Sequence, residues 1–551
     1  MLLLLPWLAL GLAEVAFALG AVAQPTPLQL TFELALLLLA GLLQARLAPP
    51  GLWRSPALPA ILAISAAAIL HRPAGLVSTF AFGVGVVVLS VVAARIISER
   101  LRPGPFLGVA LALAAAVLAR YEVLGASRVQ DPRRQLLSEL HDAARLPTPP
   151  GPDRAPILLI SVDTLRWDHA VEMDSFQRLA SRGRSFPRAM ASTSWTLPSM
   201  ASAHTGLPAH AHGAVMVPGA GVSAPEADTD WLAEQLSAAG WHTGAIVTNP
   251  YLSSAMGFNH GFRDFLHVNE RAPHRLTFLG LPWGPREWEG EIVLRRAQQW
   301  LSSAPDSGWF LWVHFLDTHL PYRHAPPGHV GRSGSGAALR SGQLFSPTER
   351  TDLIAGYAHE VSVVDGFITA LLDAAPDANV VLMADHGEEW WDHGGMEHGH
   401  SHHGEVVDVA LALAGPDVSA QPPDADGGVA SVQDVYATVL GLAGVPLPPT
   451  VTDSLDLRAP IPPSRFVLAS GNLYNRIDWS ARQDSRRLIV RGDQTPPEAF
   501  DLTADPTEQH PLPVSPDDPL LQAIESARAA QATGAQQDQN DEALRALGYI
   551  E

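Results

Sequence analysis

Five apolar runs crowd the first 125 residues, at 2–23, 28–47, 56–70, 75–94 and 106–119, parted by short stretches carrying Arg or Pro. A bilayer core takes roughly 17–25 apolar residues per helix. The first, second and fourth runs reach that length, and the third and fifth approach it. This predicts an N-terminal transmembrane domain over 1–125 of about five helices, with four as the alternative count. The first run has no basic leader and others follow it closely, so it reads as an anchor rather than a cleaved signal. A soluble chain with buried helices is the poorer account, because too few polar residues lie between the runs to cover them.

With five spans, Arg46, Arg54, Arg95, Arg100 and Arg102 share one face of the bilayer, and Arg72 and Arg120 the other. Positive residues collect on the cytoplasmic side. The chain after Leu124 is therefore expected outside the cytoplasm, at the inner membrane of a cell, with the bilayer itself as a partner.

Composition removes several chemistries. No cysteine occurs, which excludes disulfides, thiolate metal sites and cysteine nucleophiles. All 36 basic residues are arginine, so Schiff-base lysines and a Walker-type phosphate loop are excluded too. Residues 1–155 carry 12 Arg against 8 acidic residues, and the remainder 24 against 48. An acidic globular part without a basic stripe does not suit nucleic acid, which is set aside.

Beyond 125 the pattern changes. Residues 126–155 form a Pro-rich linker, ending Leu-Pro-Thr-Pro-Pro-Gly-Pro before a short charged step. From 156, apolar runs (157–162, 243–247, 309–315, 380–383, 409–413) alternate with helical patterns (175–182, 231–239, 358–375). That alternation predicts an α/β domain with a mostly parallel sheet covered by helices on both faces, and ligands beyond the carboxyl ends of its strands. We assign 156–470 to this catalytic domain, 471–530 to a C-terminal subdomain and 531–551 to a tail.

Three strand ends carry unusual residues: Asp163-Thr164-Leu165-Arg166, Asp317-Thr318-His319 and Asp385-His386-Gly387-Glu388-Glu389. One acid after a strand is commonly a helix cap or turn residue; three at one sheet edge point to hard or borderline metal ligands. In Ser194-Trp195-Thr196-Leu197-Pro198-Ser199, Thr196 is expected to precede a helix whose free N–H groups face an anion. It is a plain N-cap or, beside a metal, a nucleophile. Six histidines fall in 386–403. His386 and His398 are the better candidates for a site, whereas His402 and His403 suit a flexible loop. Trp195, Trp390 and Trp391 either line a lipid or sugar pocket or are packed.

Together these stretches, with Leu232-Ala-Glu-Gln-Leu, Tyr357-Ala-His-Glu-Val and Phe500-Asp-Leu-Thr-Ala-Asp-Pro, resemble the sulfatase family of the alkaline phosphatase superfamily. The resemblance runs from about 156 to 513. It implies that Asp163, Asp385 and His386 hold one divalent metal ion (Zn, Mn, Ca or Mg), with the nucleophile Thr196 completing the set. It further implies that His319 contacts the transferred group or leaving oxygen, and that His398, or His400 if the loop shifts, is the substrate-side partner.

The family's sulfatases carry Cys or Ser where Thr196 stands, oxidised to an aldehyde. Threonine would give a ketone instead. The carboxylate expected after Asp163 is Thr164, and the family's lysine has no counterpart. Thr196 with an Asp-His pair, behind about five spans, resembles the superfamily's phosphoethanolamine and phosphoglycerol transferases. The expected function is a membrane-anchored, metal-dependent sulfatase-family enzyme hydrolysing or transferring a phosphate or sulfate ester, lipid- or glycan-linked, through Thr196. The alternative is an inactive family member serving as a membrane scaffold or lipid-binding protein.

Overall fold

A computed structural model describes residues 151–533 apart from 218–220, 227–228, 269–275, 279–280, 284–288, 326–328, 330, 332–344, 422–426, 475–476 and 494. The expected membrane domain, nearly all of the linker and the end of the tail lie outside the described residues. Among the described residues no helix is long and apolar enough to cross a membrane. Contacts divide the chain into two units, 1–145 with 271–287 and 146–270 with 288–551. In the first, the described part is a two-stranded ribbon, Leu276–Phe278 with Leu281–Trp283.

The second unit is an α/β domain. In chain order it holds β1 (Ile157–Val162), α1 (Trp167–Ala170), α2 (Asp174–Ala180), β2 (Arg184–Met190) and α3 (Thr196–Thr205). A small ribbon, β3 (Met216–Val217) with β4 (Gly221–Val222), leads to α4 (Leu232–Ala238), β5 (His242–Val247) and β6 (Asp264–His267). The ribbon of the first unit supplies β7 and β8. Then come α5 (Glu289–Leu301), β9 (Trp309–Phe315), α6 (Pro347–Ala374), β10 (Asn379–Ala384) and a hairpin of β11 (Glu389–Trp390) with β12 (Met396–Glu397). Helix α7 (Gly404–Val407), β13 (Asp408–Ala414) and α8 (Asp434–Ala443) complete the core. A second sheet follows, β14 (Phe466–Ser470), β15 (Trp479–Gln483), β16 (Arg486–Val490) and β17 (Glu498–Asp501), then α9 (Pro519–Thr533).

The central sheet has the order β2-β13-β10-β1-β9-β5-β6. Pairing is parallel throughout except along β13, which runs against both β10 and β2. Every residue of β1, β9 and β10 is buried, as continuous apolar strands require when helices cover both faces. Helices α2, α5 and α6 pack on one face and α3, α4 and α8 on the other. The register aligns Val162 with both Phe315 and Ala384. The residues just past those three strand ends, from Asp163, Leu316 and Asp385 onward, therefore leave the sheet at one level.

Several boundaries differ from the sequence reading. Helix α6 begins at Pro347 rather than 358, because Ser346 and Glu349 form a capping box and Pro347 occupies the first turn. Its opening turns are mostly solvent-facing, so hydrophobic periodicity did not mark them. Strand β2 is an edge strand with charged and half-buried positions, which an apolar-run criterion passes over. The second sheet starts at Phe466, inside the stretch assigned to the catalytic domain, and α9 runs past 530. Its core is Trp479, Ala481, Leu488, Val490, Leu520 and Ile524, so the sheet buries one face against α9.

Candidate active site

The site lies where β1, β9 and β10 end, at the centre of the sheet. Asp163 follows β1, and Thr164 after it has φ of 54°, a left-handed turn that costs a β-branched residue energy. That turn lets the Thr164 N–H donate to Asp385 Oδ1 at 3.1 Å. The His386 N–H donates to the same oxygen at 2.8 Å. Gly387 is required beside it, because a Cβ there would stand 2.1 Å from the Glu405 carbonyl oxygen.

Thr196 is the first residue of α3, not the residue before it, and Trp195 is the N-cap with no side-chain cap bond. The plain N-cap reading of Thr196 is therefore corrected. Its hydroxyl instead lies 3.3 Å from Asp163 Oδ2 and 3.3 Å from His386 Nε2. Helix α3 is buried along its whole length and closes on Gly206 in the left-handed conformation. Ser199 Oγ, one turn on, donates to the Asp385 carbonyl at 2.6 Å and fixes the helix to the strand end.

Asp163, Asp385 and His386 are fully buried, and one ligand atom from each lies within 4.8 Å of the others. Asp163 Oδ1 and Asp385 Oδ2 have no hydrogen-bond partner. They stand 3.7 and 3.5 Å from His386 Nε2. His386 Nδ1 is 2.9 Å from the Gly387 carbonyl, which assigns its proton to that nitrogen and leaves the Nε2 lone pair free. Two unpaired carboxylate oxygens, an imidazole lone pair and a hydroxyl converging in a buried space fit a divalent cation.

The electrostatics agree. Burial alone would raise the Asp163 carboxyl, but the imidazoles of His314, His319 and His386 hold it well below the usual carboxylate range. Burial and then the charge of Asp163 push Asp385 well above it. Burial lowers His386 to about 4, keeping it neutral as a ligand must be. Without a cation the two carboxyls cannot share this space as a pair of anions.

His319 and His398 are in edge-on contact, ring centroids 5.0 Å apart, and the His398 ring is 4.5 Å from that of His386. His319 Nδ1 is 2.5 Å from the Leu320 carbonyl. His400 is turned away, with Nε2 at 2.7 Å from Glu389 Oε2. Contrary to the flexible-loop expectation, His402 and His403 are buried: His402 bonds Ser480 and Gly471, and His403 bonds Glu508. Trp195 and Trp390 are packed inside, and Trp391 stacks under the Arg350 guanidinium.

Three site residues escaped the sequence reading. Asn249, just past β5, donates from Nδ2 to Asp163 Oδ2 at 2.6 Å and to Thr196 Oγ1 at 3.3 Å. Its position after an apolar run was a usable signal, but a neutral amide carries no charge to attract attention. His314 sits within β9, 3.4 Å from Asp163 Oδ2, hidden in an apolar run. Arg166 stood in a quoted motif without a role; its guanidinium binds Asp168, Asp392 and the Glu388 carbonyl, bracing the loop that carries His398.

The sulfatase family model matches residues 156–445, more than half of the chain. The chain belongs to the sulfatase family. It is accordingly a sulfuric- or phosphoric-ester hydrolase of a metal-dependent family, and the buried Asp163, Asp385, His386 group is the place in the described chain that could hold the ion. Among solved structures, a 2-O GAG sulfatase aligns at 18% identity and a TM-score of 0.53, covering 69% of this chain and 92% of its own. A phosphonate monoester hydrolase of Agrobacterium radiobacter aligns at 19% and 0.51, covering 69% and 96%. A protein solved with its substrate D-glucosamine-2-N,6-O-disulfate aligns at 16% and 0.53, covering 71% and 100%. At such identities the likeness is one of fold. No curated protein matches this chain in sequence.

Proposed function

We propose that this sulfatase-family enzyme is anchored in the membrane by residues 1–125. On this reading it works outside the cytoplasm, cleaving or transferring a phosphate or sulfate ester with Thr196 as nucleophile. The observation that carries the reading is the Thr196 hydroxyl, 3.3 Å from both Asp163 Oδ2 and His386 Nε2, beside the unpaired oxygens of Asp163 and Asp385. A divalent ion held by Asp163, Asp385 and His386, Zn²⁺ or Mn²⁺ with Ca²⁺ or Mg²⁺ also accommodated, would lower the pKa of that hydroxyl and offset the anionic ester oxygens.

The protein's own groups supply the rest. Asn249 orients the Thr196 oxygen by donating to it, and the uncapped N-terminus of α3 faces the incoming anion. His319, in contact with His398, serves the transferred group or leaving oxygen, and His398 is the substrate-side partner. A side chain that cannot become an aldehyde favours phosphoester chemistry. A sugar- or lipid-linked ester at the bilayer surface is the substrate class proposed; one solved structure of the same fold holds a sulfated sugar.

The test is to purify the full chain and measure bound metal with turnover of an aryl phosphate, a phosphodiester and an aryl sulfate. Bound metal lost in Asp163→Ala and Asp385→Ala, together with phosphoester turnover, is the expected result. No metal and no turnover would instead favour the scaffold or lipid-binding reading.

A further inference from the structure

We propose that Glu388 is a positioning residue that orients His398 for proton delivery to the leaving oxygen, so that the enzyme acts on esters of unactivated alcohols. The inference rests on the reading of Thr196 and His398 above. Glu388 is 1% exposed, and its Oε1 lies 3.1 Å from His398 Nδ1. No other described residue hydrogen-bonds its carboxyl, and Oε2 has no partner. The nearby Arg166 guanidinium binds the Glu388 backbone carbonyl rather than the carboxyl. A buried carboxyl with a single partner and an orphaned oxygen is a poor structural element. Its one evident product is a fixed imidazole.

The two ring nitrogens lie on opposite edges, so turning Nδ1 to Glu388 leaves Nε2 for substrate. The ring is held beside His386 and His319, and His386 Nε2 lies 3.3 Å from Thr196 Oγ1. The hairpin that carries it is braced from both sides. Glu389 accepts from the His393 N–H at 3.0 Å and the Gly395 N–H at 2.5 Å, and Arg166 clamps Asp392.

In the first step the ionised Thr196 Oγ, its proton given up to solvent beforehand, bonds to phosphorus or sulfur as the bond to the leaving oxygen breaks. The electron pair stays on that oxygen, which takes the His398 Nε2 proton and departs as an alcohol. In the second, a water oxygen bonds to the same atom as the Thr196 Oγ bond breaks, which returns Thr196 Oγ in the same ionised form, and Nε2 recovers its proton from that water. A phenol with a strongly withdrawing substituent leaves without such help; a sugar or glycerol hydroxyl does not.

The experiment compares ethyl and 4-nitrophenyl esters of whichever acid the wild-type chain hydrolyses. In Glu388→Gln the ratio of ethyl to 4-nitrophenyl turnover should fall about 10-fold or more, with bound metal unchanged. In a His398→Gln background the same substitution should add no further loss. Equal losses on both esters, a further loss in that background, or loss of metal would each overturn the proposal. If the wild type hydrolyses neither ester, the functional reading fails, and ¹⁵N-histidine spectra decide the pairing by themselves. Glu388→Gln should then shift the His398 Nδ1 resonance, identified by its absence in His398→Gln, and an unmoved resonance would overturn it.

Discussion

Thr196 is where chemistry and geometry meet most closely, since its oxygen touches one carboxylate, one imidazole and one amide. Thr196→Ser keeps that oxygen and should retain appreciable phosphoester turnover. Thr196→Ala should fold, keep some metal and be nearly inert, because Asp163, Asp385 and His386 remain. Wild-type turnover by Thr196→Ala would make water the nucleophile. A covalent phosphothreonine, trapped by acid quench and found by peptide mass mapping, is expected in the wild type. His319 is not one of the three residues whose ligand atoms converge, so His319→Ala should leave bound metal in place and lower turnover by roughly 10²–10⁴; unchanged turnover would make it structural.

At the scale of elements, the second sheet is bound to the catalytic core by buried charge. Arg487 of β16 is wholly buried and bonds Asp408 at the start of β13 and Glu508, the latter at 2.5 Å. Asp408 also accepts from Arg188 of β2 at 2.9 Å and Arg482 of β15 at 3.2 Å. Glu508 binds the Gly404 N–H and His403. The cluster thus joins β2, β13, β15 and β16 to the end of the histidine loop. Arg487→Ala would remove the buried cation that Asp408 and Glu508 share and should cost about 3–5 kcal/mol, read from the urea-denaturation midpoint.

The pH dependence of that loss is also set. Burial opposes ionisation of Asp408, yet Arg487, Arg482 and Arg188 hold it at about 2, below its unfolded value of 3.8. Its contribution is therefore present above about pH 4 and fades as pH falls toward 2. In Arg487→Ala the carboxyl loses its nearest cation and protonates more readily. The stability gap between wild type and variant should accordingly be widest near neutrality and narrow below pH 4. A gap of constant size would show that Arg487 acts by packing alone.

At the scale of the whole molecule, the charge asymmetry is the organising feature: a +4 stretch over 1–155 rich in apolar runs, and −24 over the remainder. Our proposal places them on and beyond the bilayer. A reporter fused after Leu124 should therefore report an extracytoplasmic environment. A cytoplasmic signal would refute the five-span count or the arginine argument on which the orientation rests.

What was legible in the sequence is what local pattern dictates. Continuous apolar runs marked β1, β9 and β10 because a strand buried on both faces has no polar position to spare. Acids and histidines directly after them marked Asp163, Asp385, His386 and His319, since sheet topology brings strand ends to one edge. The tertiary structure alone decided the rest. That His398 rather than His400 faces His386, that Asn249 reaches both Asp163 and Thr196, and that His402 and His403 brace the second sheet depend on contacts between residues distant in the chain. Polar side chains in loops have no periodicity, so their partners are set by how the loops fold back on one another. Charge and hydropathy along the chain carry no trace of that.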